Sequence, residues 1–459
     1  MEKLVTPEGS ACYQADVVVI GGGPSGVCAA IAAAREGAKT LLIEQGGCCG
    51  GMATQGLVGP FMTCYDKNGE KQIIKGLFEE IVEQMVTQGG AIHPSQIRKK
   101  TAYTSWIETG HDHVTPFDPE TLKLVLDEML RQAGVQVLYH TTFLSVLLDE
   151  KRICGLHVSS KSGVEVVRGN VFIDCTGDGD VAAASGVAFE LGNEKLNLTQ
   201  PATMFFRICN VDDEKLEKDI QDHIHEFYRK DGVNYRSFHW RVAQAKADGK
   251  WPLNRVSIGL FKSVHGEWCV NTSRVMGVDA TNNQSLTSGE IEGRKQVKII
   301  MDFLRDYVPG CENAKLMASA STLGIRESRH MKGVYSLSGS DILNGVIPED
   351  AVALASNSVD VHGRFGSMSN QYTPIEKGTC YGIPYRCLLP KTIDNLLVPC
   401  RSTSASSEAA GAIRVMPPMM ALGQAAGVAG AMAAREHVCC SQIQIPELRR
   451  RLLAQNVVL

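Results

Sequence analysis

Residues Ala15 to Glu44 read ADVVVIGGGPSGVCAAIAAAREGAKTLLIE, the order of a strand, a tight turn, a helix and a second strand. Asp16-Val17-Val18-Val19-Ile20 is a short run of β-branched residues suited to a strand buried on both faces. Gly21, Gly23 and Gly26 follow at once. The first permits a sharp turn, the second lets backbone approach a pyrophosphate with no Cβ in the way, and the third lets the helix pack close to the strand. Ala30 and Gly37 continue the small-residue spacing along the helix. The second strand, Thr40-Leu41-Leu42-Ile43, ends on Glu44, where an acidic side chain suits the hydroxyls of an unphosphorylated adenosine ribose. The stretch therefore predicts an FAD or NAD site rather than an NADP site.

The rest of the chain narrows the partners. Its 459 residues suffice for two or three domains, and a hydrophobic share of 44% with 21% charged residues is ordinary for a globular protein. A net charge of −4, with no block of like charges, implies neither nucleic acid nor an anionic membrane surface as a partner. The first fourteen residues have no apolar stretch behind their positive charge, and no run approaches the length needed to span a bilayer, so a cytoplasmic protein is expected. The fifteen cysteines are scattered, several of them in strand-like runs (Cys154, Cys175, Cys209), which fits a reducing compartment. No Cys-x-x-Cys occurs, which argues against iron–sulfur clusters, structural zinc and a thioredoxin-like disulfide; no metal is expected. The pair Cys48-Cys49 falls in a glycine-rich loop, where small side chains are wanted for space.

That loop, Gln45 to Thr54, has little side-chain bulk and is placed to run along a cofactor. Helical spacing covers Ile74 to Gln88, and Asp118-Pro119-Glu120 opens a second helix reaching Arg131. His111-Asp112-His113 between them reads as a solvated loop, since no third metal ligand accompanies the pair. Four β-rich pieces, Val135 to Leu138, Phe143 to Leu148, Ile153 to Val158 and Val164 to Val167, suggest an antiparallel meander. Val171 to Cys175 reads as a further buried strand, ending in a second glycine turn, Thr176-Gly177-Asp178-Gly179-Asp180. From Val187 strand-like runs (Ala202 to Ile208, Val256 to Leu260, Cys269 to Asn271) mix with charged helices, which suggests a separate domain. Leu323 to His330 and Val359 to Arg364 set charged residues densely among glycines, the pattern of a cleft lining or of a salt-bridge network between domains. Tyr381 to Glu436 is again rich in small residues. It carries a strand at Asn395 to Val398, then Pro399-Cys400-Arg401, and Arg414-Val415-Met416-Pro417-Pro418 opening a helix with Gly423, Gly427 and Gly430. A helix N-terminus there suits the negative edge of a reduced flavin.

Three blocks together, GGGPSG…IEQGGCCGGMATQGLVG, FIDCTGDGDVAAASG, and GIRESRHMKGVYSL continuing through AIRVMPPMMALGQAAGVAGA, resemble the FAD-dependent oxidoreductases of the glutathione-reductase-like flavoproteins. Relatives of that group include the fumarate reductase flavoproteins and the flavin subunit of heterodisulfide reductase. The resemblance implies an α/β fold: a Rossmann-like FAD-binding domain, parallel sheet with antiparallel meander, at 1–186 and 376–459, and an inserted α+β substrate domain at 187–375. It implies non-covalent FAD held by Gly21, Gly23, Pro24, Ser25, Gly26, Glu44, Gln45, Gly51, Met52, Ala53, Gly177, Asp178, Arg401, Pro418, Gly423, Ala425 and Ala426. The chain departs from the family pattern at Cys400, often glycine, and at Ser407, often histidine.

The expected activity is hydride transfer between flavin and a small polar organic substrate, an unsaturated acid, hydroxy acid or sugar. Arg326, Arg329 and Arg386 would orient an anionic or polar group, and His362 or Tyr385 would move the proton. The electron donor or acceptor is left open, and a homo-oligomer is compatible with the sequence. The alternative is an FAD-bearing electron-relay subunit with no organic substrate of its own. A pyridine-nucleotide disulfide reductase would need a second glycine fingerprint and a redox cysteine pair, and the sequence has neither.

Overall fold

Strand β1 (Cys12–Ile20) runs parallel to β2 (Thr40–Ile43), and α1 (Pro24–Arg35) joins them. In this computed structural model, residues 12–108, 110–193, 198–364 and 370–459 are described; the amino-terminal residues 1–11, read above as carrying no leader, lie outside them. Pro24 starts α1 because its missing N–H is unneeded in a first turn and its φ is already helical. The helix is buried from Ser25 to Ala33. One side faces the sheet, and the other meets the helix Met416–Glu436. A Cβ added at Gly423 would overlap the carbonyl of Ser25, and one at Gly427 that of Ala29. These two glycines therefore form a close seam with α1, while Gly430 faces Val17, Val171 and Ile173 of the sheet. Helices α2 (Leu77–Thr87) and α3 (Pro119–Ala133) pack in the same layer.

The chain then adds β3 (Gln136–Leu138), β4 (Thr142–Asp149), β5 (Arg152–Ser160) and β6 (Gly163–Asp174). The sheet order is β3-β2-β1-β6-β5-β4. The first four are parallel neighbours, the last three form the antiparallel meander, and Leu396–Leu397 adds alongside β6 in parallel. The stretches Val164 to Val167 and Val171 to Cys175, expected as two strands, are one. The reason is β1, which begins at Cys12 and pairs with β6 from Val166 through Asp174, so the ladder never breaks. The crevice outside the carboxyl ends of β1 and β6 is where an open α/β sheet binds its ligand.

A second core is built on four antiparallel strands in the order Leu260–Lys262, Trp268–Val270, Phe206–Cys209 and Lys315–Ser319, with the helices Asp213–His223 and Asn283–Tyr307. Trp106 stacks on Trp268 at 5.8 Å and brings the loop before α3 into this core. The expected strand at Val256 to Leu260 starts only at Leu260, and the residues before it form a loop. The expected return to the first domain at 376 comes earlier: Leu337, Ile342 and the strand Ala351–Ala355, paired with Tyr381–Pro384, pack into the first core beside the late helix. No helix of the described residues is long and apolar enough to cross a membrane.

Candidate active site

A cavity of about 1180 Å³ runs from the strand ends of the first sheet to the second core. That exceeds the ~300–1,000 Å³ usual for one small ligand. One part is made of backbone turns, the other of charged side chains.

At the first part the three glycines separate by role. Gly21 has φ +97°, and a Cβ there would press on the Cys175 carbonyl; one on Gly26 would overlap the Gly21 carbonyl. Gly26 thus serves packing and does not line the cavity. Gly23 lines it, and a Cβ there would meet nothing within 4 Å. No side chain caps the N-terminus of α1, so its first-turn N–H groups and positive dipole end stay available to an anion. Glu44 is 6% exposed; its Oε2 accepts from the Gly22 N–H at 2.7 Å and its Oε1 from the Gly46 N–H at 2.6 Å. This one carboxylate fixes the glycine turn and the loop after β2 together.

Gly50 (φ +101°) and Gly51 (φ +47°) turn that loop so that Gly51, Met52 and Gln55 line the cavity. Gln45, Pro24, Ser25, Gly177, Asp178 and Arg401 line it as well. The Ser25 hydroxyl donates to the Pro399 carbonyl, joining α1 to the strand at Leu396–Leu397. Arg401 holds Asp178 at 2.5 Å, and its buried Nε has no hydrogen-bond partner among the described residues. A glycine cradle with open N–H groups, an acid at the end of β2 and an unpartnered guanidinium edge fit a dinucleotide diphosphate, and FAD fits them.

Other expected cofactor contacts fall elsewhere. Ala53 is 1% exposed in the core, and Pro418, Gly423, Ala425 and Ala426 are buried in the helix seam; none of these lines the cavity. The late helix reaches the cavity instead through Met416 and Met419, preceded by Arg414 and Val415.

At the second part, Arg326 and His362 both line the cavity. With them stand Asp360, from the same charged block, and residues that the sequence did not mark for the site: His111, Arg236, Arg255, Arg274 and Tyr372. The imidazole Nε2 of His362 lies 3.3 Å from Asp360 Oδ2. Burial lowers the pKa of His362 to about 4; Arg326 and Arg414 push the same way, and Asp360 opposes them. Despite burial, His362 and the neighbouring arginines hold the Asp360 carboxyl well below the usual carboxylate range. His111, expected as a solvated loop residue, stacks on Phe261 with its pKa lowered to about 4 by burial and by Arg236. Arg326 donates to the Pro201 carbonyl at 2.6 Å, Arg274 to the Gly363 carbonyl at 2.8 Å, and Arg414 to the Asp360 carbonyl at 3.2 Å. Burial lowers the pKa of Arg326 to about 9 and of Arg255 to about 10, each with neighbouring arginines adding to the effect.

Three expected catalytic residues are corrected. Arg329 lines the cavity but belongs to the nucleotide part, donating to the Asp178 carbonyl at 3.0 Å and to Asp180 at 2.9 Å. Arg386 is half-exposed, paired with Asp350 at 2.8 Å and set over the Tyr335 ring. Tyr385 is 1% exposed and donates to the Cys440 carbonyl at 2.8 Å. Both lie outside the cavity because the short turn Tyr385–Leu388 buries Tyr385, Cys387 and Leu388 in the core and leaves Arg386 on the surface.

The alternative reading of the charged blocks is realised beside the cavity. Glu327, 2% exposed, accepts from Arg364 at 2.5 Å, lies 3.3 Å from His330, and accepts from the Ser407 hydroxyl and the Gln200 N–H. Successive residues thus divide the work: Arg326 faces the cavity and Glu327 locks segments together. Ser407, at the family's frequent histidine position, belongs to that lock. Cys49 is fully buried and its pKa is pushed up to about 12, so it has little thiolate character. Among the described residues no trio of His, Cys, Asp or Glu is placed to hold a metal ion.

The family model for FAD dependent oxidoreductase matches residues 16–452. No curated protein matches the chain. Among solved structures, a geranylgeranyl bacteriochlorophyll reductase-like protein from Thermoplasma acidophilum is 14% identical, with 98% of this chain and 85% of that one covered and a TM-score of 0.44. L-proline dehydrogenase from P. horikoshii is 10% identical over 98% and 100%, with a TM-score of 0.46. A p-nitrophenol 4-monooxygenase from Pseudomonas putida DLL-E4 is 11% identical over 71% and 70%, with a TM-score of 0.40.

Proposed function

The chain belongs to the FAD dependent oxidoreductase family, and from that premise we propose that it transfers a hydride between FAD and a small polar organic substrate held at the arginine-rich part of the cavity. The observation that carries this reading is continuity: one cavity joins the glycine cradle to the Asp360–His362 pair. Bound FAD supplies the two-electron redox chemistry. The diphosphate would lie against Gly23 and the start of α1, with Glu44 at the ribose and Gly51 and Met52 along the cofactor.

In the oxidative direction a substrate gives up a hydride from carbon and a proton from the neighbouring atom. His362 is neutral at physiological pH, its Nε2–H is directed to Asp360, and its Nδ1 is the lone pair that takes the proton. Asp360 then stabilises the imidazolium, and an anionic substrate beside the ring offsets the lowering that burial and the arginines cause. In the reductive direction the same proton returns from Nδ1. Arg326 and Arg414, each anchored by a carbonyl, orient the substrate through their remaining N–H groups. Kinship with the glutathione-reductase-like flavoproteins and a cytoplasmic location are part of the same proposal, supported by the order of the sequence blocks and by the free cysteines throughout the described residues.

The test is an anaerobic screen: photoreduced holoprotein is mixed with candidate acceptors, oxidised holoprotein with candidate donors, and the flavin absorbance is followed. An organic acceptor or donor that changes the flavin redox state at a catalytically useful rate is expected. Rapid exchange with electron-carrier proteins alone, and with no organic molecule, would overturn the reading in favour of an electron-relay subunit. A purified protein that neither contains nor binds FAD would remove the premise of a working flavoenzyme.

A further inference from the structure

Resting on that reading, we propose that the substrate is a small organic anion with at least two negatively charged groups, one held by Arg236 and the other by Arg255. The charge balance carries the argument. Five guanidinium groups, Arg236, Arg255, Arg274, Arg326 and Arg414, line this part of the cavity, and among the described lining residues Asp360 is the one carboxylate set against them. Asp360 is already engaged with His362.

Three of the five are anchored by a backbone carbonyl, Arg326 by Pro201, Arg274 by Gly363 and Arg414 by Asp360. Two guanidinium groups are left over. The side chains of Arg236 and Arg255 make no hydrogen bond or ion pair among the described residues, and the Nε of Arg255 is buried without a partner. Both are part-buried and line the cavity.

Charge held this way is costly in a folded protein unless something neutralises it. A planar fork of donors is matched by a carboxylate or a phosphate through two parallel hydrogen bonds. Two unengaged forks in one cavity call for two anionic groups on one molecule, with the reacting atoms beside His362. A monoanion would satisfy one fork and leave the other uncompensated. A neutral sugar would satisfy neither.

Calorimetry on the FAD-loaded protein tests this without turnover, using succinate, glutarate and citrate, 2-phosphoglycolate and glycerol 3-phosphate, with butyrate and dimethyl succinate as monoanionic and uncharged controls. We expect the best dianion to bind at least tenfold more tightly than butyrate, with affinity falling steeply as salt is raised. The winner separates a dicarboxylate from an organic phosphate. R236A and R255A should each retain FAD and bring dianion affinity down to the monoanion level, and R255K should recover only part of it. A second readout needs no ligand: R255M should raise the melting temperature of the anion-free holoprotein, since it removes an uncompensated buried charge. Equal binding of dianions and uncharged esters, or unchanged dianion binding in both alanine variants, overturns the proposal. Turnover of a neutral substrate would overturn it while sparing the redox reading. Tight dianion binding with no organic turnover would spare it and sink the redox reading.

Discussion

The two parts of the cavity are built on opposite plans. The nucleotide part is made of backbone, from turns at Gly21 to Gly26, Gly50 to Gly51 and Gly177 to Asp178, with one acid, Glu44, bracing the first of them and, at Gly46, the loop that carries the second. The other part is made of long charged side chains from segments far apart in the chain, at 111, 236, 255, 274, 326, 360 to 362 and 414. Backbone turns cannot be retuned without refolding the sheet, whereas a guanidinium can be exchanged with little effect on either core. On the proposed reading, the first part fixes the cofactor and the second sets the substrate.

Substitutions at two neighbouring glycines give the sharpest contrast. Gly26→Val should yield no folded protein, because its Cβ would overlap the Gly21 carbonyl. Gly23→Leu should fold, since a Cβ there meets nothing, yet lose FAD by roughly 100-fold or more as its side chain fills the cradle. Circular dichroism and flavin titration separate the two, and loss of fold in both would break the division of roles.

His362→Ala should keep FAD and slow flavin reoxidation by its acceptor by about 100-fold, the size of a lost general acid–base. Stopped-flow absorbance reads it. Glu44→Gln should weaken FAD by about 1–3 kcal/mol, because a charged acceptor of two backbone N–H groups becomes a neutral one. Acceptor binding at the arginine part should be unchanged, as measured by calorimetry on the reloaded protein.

The histidines give a pH signature. His362 and His111 are held at about 4 when folded, against an ordinary value of 6.5. Between those values the unfolded chain binds protons that the folded chain does not, so stability falls as pH drops from 6.5 toward 4. The melting temperature of His362→Gln should decline less steeply over that range. Smallest of all, Arg386→Ala should leave turnover unchanged, and Tyr385→Phe should cost about 1 kcal/mol through its lost bond to the Cys440 carbonyl.

The same contrast explains what the sequence revealed. Ala15 to Glu44 was legible because strand, turn and helix are contiguous and each glycine has a local steric reason. Arg326 and His362 stood out because charges crowd among glycines there. Arg236, Arg255 and Arg274 are single arginines in irregular segments, with neither periodicity nor neighbours to mark them, and only the tertiary fold brings them together. Arg386 drew notice from its local context, which says nothing about which side of a short turn meets the cavity. The seam glycines of the late helix read equally as cofactor contacts or as packing, and α1 decides for packing.

The seam also bears on the order of events at the ribosome. Its two helices begin 392 positions apart, at Pro24 and Met416, and the Ser25 hydroxyl needs the Pro399 carbonyl, 374 positions downstream. A nascent chain emerges at roughly 5–20 residues per second, so the first turn of α1 stays without its supports for about 20–80 s. A chain released before the Met416–Glu436 helix would carry every glycine of the fingerprint and still lack the wall that holds them. Cofactor capture is accordingly expected only after the Met416–Glu436 helix has emerged, and fragments arrested before it should be colourless.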